Sequence, residues 1–198
     1  MAHVCPWWLC YSFDNPLRRL VHDPDKLLAP YVRPSQTCLD LGCGMGYFTL
    51  GMARLAGPSG RVLAVDLQQK MLDTLLHRAA KAGVAKVIKT RVCGPEDLGL
   101  GDVAGTVDFA LSFWMLHEVP DMGRFLEQVA GAMRSSGSLL LAEPKFHVTR
   151  AAFQAELDLA AGQGWVVTEQ PAIWGSYTAL LRAPEQKLRA ANYQAEVA

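Results

Sequence analysis

The sequence predicts an α/β fold in which helices cover both faces of a doubly wound, mostly parallel β-sheet. Apolar, strand-like runs alternate with helix-like stretches along most of the chain, a pattern typical of parallel strands joined by crossover helices. Several of the strand-like runs are continuously apolar, as strands buried on both faces are. Two more strand-like runs follow with only a short connection between them, which predicts a closing antiparallel pair.

The predicted strands and helices extend from residue 37 to residue 182. Apolar runs predict strands at residues 37–41, 61–67, 86–93, 107–114, 138–144, 164–170 and 176–182. Apolar residues at helical spacing predict helices at residues 47–55, 68–82, 122–133 and 148–161. Gly57, Gly83 and Gly137 are predicted to end three of these helices, because glycine readily adopts the left-handed conformation that closes a helix.

The chain is predicted to form one domain, residues 1–198, because a chain of this length with 51% hydrophobic residues can bury one good core. Residues 1–36 are predicted to form an N-terminal cap over the site, in which Asp23 caps a short helix and Pro24 begins it. Residues 37–182 are the predicted core of the domain. We expect the polar, alanine-rich residues 183–198 to form a frayed tail.

Composition predicts a small-molecule partner. The 19 basic and 19 acidic residues give no net charge, which disfavours nucleic acid and an anionic membrane surface. The apolar N-terminus lacks the basic region and cleavage site of a secretory signal, and no apolar run is long enough to span a bilayer. Five cysteines without paired spacing fit reduced thiols better than a disulfide framework, so we expect a cytoplasmic protein.

A glycine-rich turn, "LDLGCGMGYFTL" at residues 39–50, follows the first predicted strand, where α/β sheets bind cofactors. A dinucleotide fingerprint would need a third glycine at Tyr47 or Thr49, so neither register fits. The carboxylate of Asp40 would also repel a pyrophosphate. A cofactor that carries an ammonium and a sulfonium group would instead be attracted to it. An NAD-type oxidoreductase is therefore disfavoured.

The turn resembles motif I of the class I S-adenosylmethionine (SAM)-dependent methyltransferases, and the resemblance extends over about residues 37–182. "RVLAVDL" resembles their second strand, while "VDFALSFWMLHEV" and "GSLLLAEP" resemble their fourth and fifth strands. The most similar group is the small methyltransferases of ubiquinone and menaquinone biosynthesis and of arsenite methylation. The resemblance implies a Rossmann-like fold, SAM as the cofactor and methyl transfer as the reaction.

The resemblance also implies which residues bind SAM. Its methionine part would be held by Asp40, Gly42, Gly44 and Gly46. Asp66 would accept both ribose hydroxyls, and Leu67 and Gln68 would border the adenine. Family members often have an acid near the adenine in a G-D-A-E-D-L stretch, whereas this chain has Gly94 there, in "CGPEDL". Glu96, Asp97 or the backbone would take over that contact.

Candidates for the chemistry follow the fourth and fifth strands. Methyl transfer needs alignment of the acceptor and exclusion of water, and it needs a general base when the acceptor must lose a proton. His117 and Glu118 are the predicted catalytic residues, with capping of the next helix or pairing with the N-terminal segment as the alternative interpretation. The predicted substrate pocket, for which a purely structural role is the alternative, comprises Glu143, His147, Trp7, Trp8 and Tyr11.

Two alternatives to a simple small-molecule methyltransferase stay open. One is a non-catalytic SAM-binding or regulatory module. The other is a metal-assisted methyltransferase that uses the N-terminal His3 and Cys5, which the fold could bring to His117 and His147. Their spacings are not those of paired metal ligands, so the sequence predicts no metal site. "SFWMLHE" lacks the D/N-P-P-Y/F motif of nucleic-acid amino-methyltransferases, which favours a small acceptor whose nucleophilic atom the sequence leaves open.

Overall fold

The computed structural model describes residues 18–185 as an α/β domain built around one seven-stranded sheet. The strands are β1 (Thr37–Leu41), β2 (Arg61–Asp66), β3 (Ile88–Val92), β4 (Val107–Phe113), β5 (Met133–Pro144), β6 (Val166–Glu169) and β7 (Ser176–Arg182). The helices are α1 (Arg18–Val21), α2 (Pro24–Leu28), α3 (Tyr47–Ala56), α4 (Gln69–Lys81), α5 (Met122–Ala132) and α6 (Arg150–Gly162). Short 3₁₀ turns lie at Ala85–Val87, Leu100–Val103 and Leu116–Glu118.

The sheet has the strand order β3-β2-β1-β4-β5-β7-β6. Strands β1 to β5 are parallel, and β7 runs antiparallel between β5 and β6. The predicted doubly wound, Rossmann-like fold and its closing antiparallel pair are thus confirmed. The strand order reverses between β1 and β4, and in open α/β sheets this reversal marks the crevice that receives a ligand.

The two faces of the sheet bury two separate sets of side chains, because successive residues of a strand point to opposite faces. On one face, Leu139 and Leu141 of β5 belong to a core cluster that includes Phe153 and Leu157 of α6. On the other face, Leu140 belongs to a cluster formed with helices α2, α3 and α4. This alternation determines which helix lies behind each residue of β5.

The prediction that Gly137 ends a helix is wrong. Helix α5 ends at Ala132, and Gly137 lies inside β5, which begins five residues before the predicted strand. The pairing of β4 with β5 is irregular there, since the register shifts between Val107 and Phe109. A Cβ atom on Gly137 would lie 2.9 Å from the carbonyl oxygen of Val107, so the close approach of the two backbones requires glycine.

The described part of the N-terminal segment packs on α3. Asp23 caps α2, accepting a hydrogen bond from the amide of Asp25 at 3.1 Å, and Pro24 begins the helix as predicted. Arg54 of α3 donates to both carboxylate oxygens of Asp25 at 2.8 and 2.9 Å. No helix within residues 18–185 is long and apolar enough to cross a membrane. The predictions for His3, Cys5, Trp7, Trp8, Tyr11 and for residues 186–198 of the tail fall outside the described residues.

Candidate active site

A cavity of about 330 Å³ opens at the carboxyl ends of the central parallel strands, where the strand order reverses. Asp40 of β1, Asp66 of β2 and Phe113 of β4 line it, and so does Pro144 at the end of β5. The connections that follow these strands complete the wall. The structure therefore brings the glycine turn and the residues after β4 and β5 to one space, although they are far apart in the sequence.

The glycine turn forms the floor of the cavity. Gly42 and Gly44 line the cavity, and both have positive φ, as glycine tolerates. Gly46 is also left-handed, at φ 82°, but it faces α4, where a Cβ atom would lie 2.6 Å from Cγ of Leu75. Gly46 thus starts α3 and brings it close to α4, while the other two glycines border the cavity.

Asp40 is a buried acid at this floor, with 3% of its surface exposed. The hydroxyl of Thr49 donates a hydrogen bond to its carboxylate. Burial raises the pKa of Asp40 to about 7, against the opposing effect of the hydrogen bond from Thr49. A cationic ligand in the cavity would favour the charged form of this carboxylate.

Asp66 connects the ends of β1 and β2. Its Oδ2 accepts from the amide of Gly44 at 2.8 Å, and its Oδ1 accepts from the amide of Gln68 at 2.9 Å. Burial raises the pKa of Asp66 despite these hydrogen bonds. Leu67 and Gln68 also line the cavity, so the three residues that the sequence assigns to ribose and adenine lie together.

The residues after β3 differ from the expectation. Glu96 and Asp97 do not belong to the cavity wall, which here consists of Cys93, Gly94, Pro95 and Leu98. Asp97 accepts from the amide of Gly99 at 2.7 Å, and the carboxylate of Glu96 lies 3.8 Å from the guanidinium of Arg124. Of the three options left open by the sequence, the backbone around Gly94 is the one that borders the cavity.

Trp114, directly after β4, has a conformation that non-glycine residues seldom adopt, with φ 59°. Its amide donates to the carbonyl of Ala142 at 2.7 Å, and its Nε1 donates to the hydroxyl of Ser176 at 2.8 Å. These contacts hold the chain in the turn that carries the following residues over the cavity. Backbone strain of this kind concentrates at functional sites.

His117 is bound to a buried carboxylate. Glu143, at the end of β5, is completely buried, and its Oε1 accepts from the amide of Leu116 at 3.0 Å. Its Oε2 pairs with Nδ1 of His117, whose side chain lines the cavity and is 23% exposed. The hydrogen bond to Glu143 raises the pKa of His117, and burial opposes this effect. With Nδ1 engaged, Nε2 is the nitrogen that can exchange a proton.

Glu118 and His147 lie beside this pair and line the same cavity. The ring of His147 stacks on that of His117, with centroids 5.8 Å apart. The negative charge of Glu118 contributes to the raised pKa of His117. Glu143 lies behind His117 and is not part of the cavity wall, so its influence on a substrate would act through the imidazole.

Arg18 forms a part of the wall that sequence reasoning missed. Its guanidinium carbon lies 4.3 Å from the ring centroid of Tyr47 and 5.6 Å from that of Trp114, close enough for cation–π contacts. Its charge also lowers the pKa of Asp40 slightly against the effect of burial. No sequence pattern indicates this role, because Tyr47 and Trp114 are distant from Arg18 in the sequence and contact it only in the folded chain.

Within residues 18–185, no three His, Cys, Asp or Glu side chains are grouped so that they could hold a metal ion. His117 and His147 do lie together, as the metal-assisted hypothesis requires. That hypothesis also needs His3 and Cys5, so it stays a prediction about a part of the chain beyond the described residues.

Comparisons with known proteins agree with this geometry. The family described as "Methyltransferase domain" matches residues 39–141. The ubiquinone biosynthesis O-methyltransferase of Xanthomonas axonopodis is 29% identical over 136 residues, which are 68% of this chain and 54% of that protein. The demethylmenaquinone methyltransferase of Lactobacillus johnsonii is 29% identical over 112 residues, 57% of this chain and 45% of that protein. The chain thus spans about half the length of these curated relatives.

Among solved structures, a SAM-dependent methyltransferase from Aquifex aeolicus superposes with a TM-score of 0.79 and 20% identity, covering 91% of this chain and all of that one. At this identity the likeness shows the fold alone. The family match includes the glycine turn and Asp66, which border the cavity, and it ends within β5, before Glu143. On this sequence match and this fold, the chain belongs to the class I SAM-dependent methyltransferases.

Proposed function

We propose that the protein is a methyltransferase that moves the sulfonium methyl group of SAM to a small-molecule acceptor by in-line displacement, with His117 as the general base. One observation carries this proposal. The cavity that begins at the glycine turn also contains His117, and a buried carboxylate holds Nδ1 of that histidine. A cofactor site and an oriented base therefore share one enclosed space, as catalysis requires and a pure binding module does not.

The residues present fit SAM, the methyl donor of the family. Asp40 is a buried carboxylate whose charged form is disfavoured by burial, so an ammonium or sulfonium group would stabilise it. A Cβ atom on Gly44 would meet nothing within 4 Å, which leaves room for a ligand at the backbone. Asp66 has acceptor capacity beyond its two backbone partners, as ribose hydroxyls need. When bound, SAM supplies an electrophilic methyl group.

The proposed work of the protein is to orient the acceptor and remove its proton. Nε2 of His117 accepts the proton, and Glu143 holds the ring and stabilises the imidazolium that forms. The completely buried Glu143 cannot turn away, because the amide of Leu116 binds its other oxygen. This role requires an acceptor atom that loses a proton, such as a hydroxyl.

A small, partly apolar acceptor fits the apolar part of the cavity wall. The residues of this part are Phe113, Trp114, Met115 and Phe146. The two relatives described above are named for ubiquinone biosynthesis and for demethylmenaquinone, which are small molecules. We therefore propose a small molecule, rather than nucleic acid, as the acceptor.

Calorimetric titration with SAM and then with S-adenosylhomocysteine tests the cofactor assignment, and a screen of small acceptors for methyl transfer tests the reaction. We expect micromolar binding of both ligands and transfer to at least one acceptor. If neither ligand binds, the proposal is wrong. A different result would favour the non-catalytic SAM-binding module: both ligands bind, no acceptor is methylated, and the His117→Ala variant keeps its cellular role.

A further inference from the structure

Glu156 is a buried acid that the proposed chemistry does not yet use. It is 6% exposed, and its Oε2 has no hydrogen-bond partner within the described residues. It belongs to the buried stripe of α6, with Phe153 and Leu157 as neighbours in that stripe. An apolar residue at this helical position would complete the stripe at no electrostatic cost, so a carboxyl group here calls for an explanation.

Glu156 and Glu143 lie on the same face of the sheet. Side chains alternate along β5, so Glu143 follows Leu139 and Leu141 on the face that α6 covers. Phe153 of α6 stacks on Tyr177 with centroids 5.8 Å apart, and Tyr177 is the cross-strand partner of Glu143. Glu156 lies one turn beyond Phe153 in the same buried stripe, so it faces the side of the sheet that carries Glu143.

The three groups act on one another electrostatically. The pKa of Glu156 is raised to about 7, mainly by burial and also by the negative charge of Glu143. The charge of His117 lowers this pKa and so opposes both effects. In return, the charge of Glu156 contributes to the raised pKa of His117. The other ionisable groups around them are Glu118 and His147 on the cavity side, and Tyr177 with Lys145 above its ring on the sheet side.

We propose that Glu156 is a positioning residue that forms an acid–base cluster with His117 and Glu143, and that its carboxyl group helps to stabilise the protonated form of His117. The inference rests on the proposed role of His117 as the base. With Glu156 neutral, one carboxylate supports the imidazolium. With Glu156 ionised, a second negative charge supports it, and His117 holds its proton to higher pH.

This coupling has a recognisable signature. Two groups that stabilise each other's charged forms do not titrate as independent sites, so the titration of His117 spreads over a wider pH range than one group would give. Removing the charge of Glu156 should leave a single, narrower titration with a lower midpoint. A carboxyl group that only filled space would leave the titration unchanged.

The test is an NMR titration of the His117 ring in the full chain without acceptor, with the signal assigned by its loss in His117→Gln. In Glu156→Gln we expect the midpoint to fall and the curve to become narrower than in the wild type. In Glu156→Asp, which keeps the negative charge, the midpoint of the His117 titration should stay close to that of the wild type. Asp158→Asn removes a carboxylate from the exposed side of the same helix and should change nothing. Equal midpoints in the wild type and Glu156→Gln would overturn the proposal.

A reciprocal measurement covers the case in which Glu156→Gln does not fold. In His117→Gln, the carboxyl ¹³C signal of Glu156 should titrate at a higher pH than in the wild type, because the positive charge of His117 is gone. An unchanged Glu156 titration there would also contradict the proposal. Neither measurement depends on turnover, so failure of SAM to bind would refute the proposed function and leave these titrations to decide the role of Glu156.

Discussion

Asp66 combines a structural task with its proposed binding task, because one carboxylate joins two turns and faces the cavity. We predict that Asp66→Ala weakens SAM binding by about 1.5–3 kcal/mol, since it removes charge-assisted hydrogen bonds. Calorimetry with SAM measures the change. Asp73→Ala, which removes an exposed acid from α4, is the matched control and should bind as the wild type does. An unchanged dissociation constant in Asp66→Ala would refute the ribose assignment.

His117 should affect turnover rather than cofactor affinity. We predict that His117→Ala lowers kcat by about 10²–10⁴-fold, the usual contribution of a general base, while the Kd for SAM stays close to that of the wild type. Steady-state kinetics and calorimetry together separate the two effects. His77→Ala, which removes a histidine outside the cavity wall, is the control. Full activity in His117→Ala would remove this residue from the chemistry.

The pairing with Glu143 also predicts how activity depends on pH. A base works in its neutral form, and the carboxylate raises the pKa of His117 above its usual value of 6.5. Activity should therefore rise with pH through a midpoint above 6.5. Glu143→Gln should move that midpoint to lower pH, because the amide no longer stabilises the imidazolium. A midpoint that stays in place in Glu143→Gln would contradict the arrangement.

The connection after β4 depends on the neighbouring strands for its shape. Trp114 reaches β5 through its amide and β7 through its indole nitrogen, so three strands fix the turn before His117. We predict that Trp114→Phe lowers the free energy of unfolding by about 0.5–1.5 kcal/mol through the lost hydrogen bond to Ser176. Denaturant unfolding measures it. A double-mutant cycle with Ser176→Ala should show that the two losses are not additive, and additive losses would mean that this bond contributes little.

Local patterns explain why most strands and helices could be predicted. The glycine turn and the capped helix α2 each depend on residues close together in the sequence, and the structure has both where the sequence predicts them. The hydrogen bond between His117 and Glu143 could not be predicted from local patterns, because it depends on the register of β5 against β4. Gly137 was misread because a close approach between strands, rather than a helix end, requires glycine there. The identity of the cofactor was predicted from the family resemblance, because the spacing of the glycines and Asp66 does not specify SAM by itself.

The buried acids make the stability of the folded domain depend on pH. Burial raises the pKa values of Asp40 and Glu156 to about 7, so the folded chain binds more protons than the unfolded chain between the usual acid range and neutrality. The free energy of unfolding should therefore fall as the pH rises from about 5 to about 8. His117 acts in the same direction, since its stabilising contribution is lost as the pH rises through its raised pKa.

Denaturant unfolding at pH 5 and pH 8 checks this prediction. The loss of stability should be smaller in Glu156→Gln than in the wild type, since glutamine has no proton to lose. Asp158→Asn, on the exposed side of α6, should show the same loss as the wild type. If stability instead rose over this range, the two acids would not be the dominant buried groups. Saturating SAM should raise the free energy of unfolding at both pH values, because it binds to the folded form.

The place of β7 between β5 and β6 has a consequence for biosynthesis. It is the last strand along the described chain, yet it lies inside the sheet and pairs with both neighbours. Until the ribosome has released residues 176–182, β5 has one open edge and β6 has no partner in the sheet. A nascent chain that has not yet released β7, or one terminated before it, would thus expose the backbone of the strand that carries Glu143, so chaperone capture or aggregation should be greatest before residues 176–182 emerge.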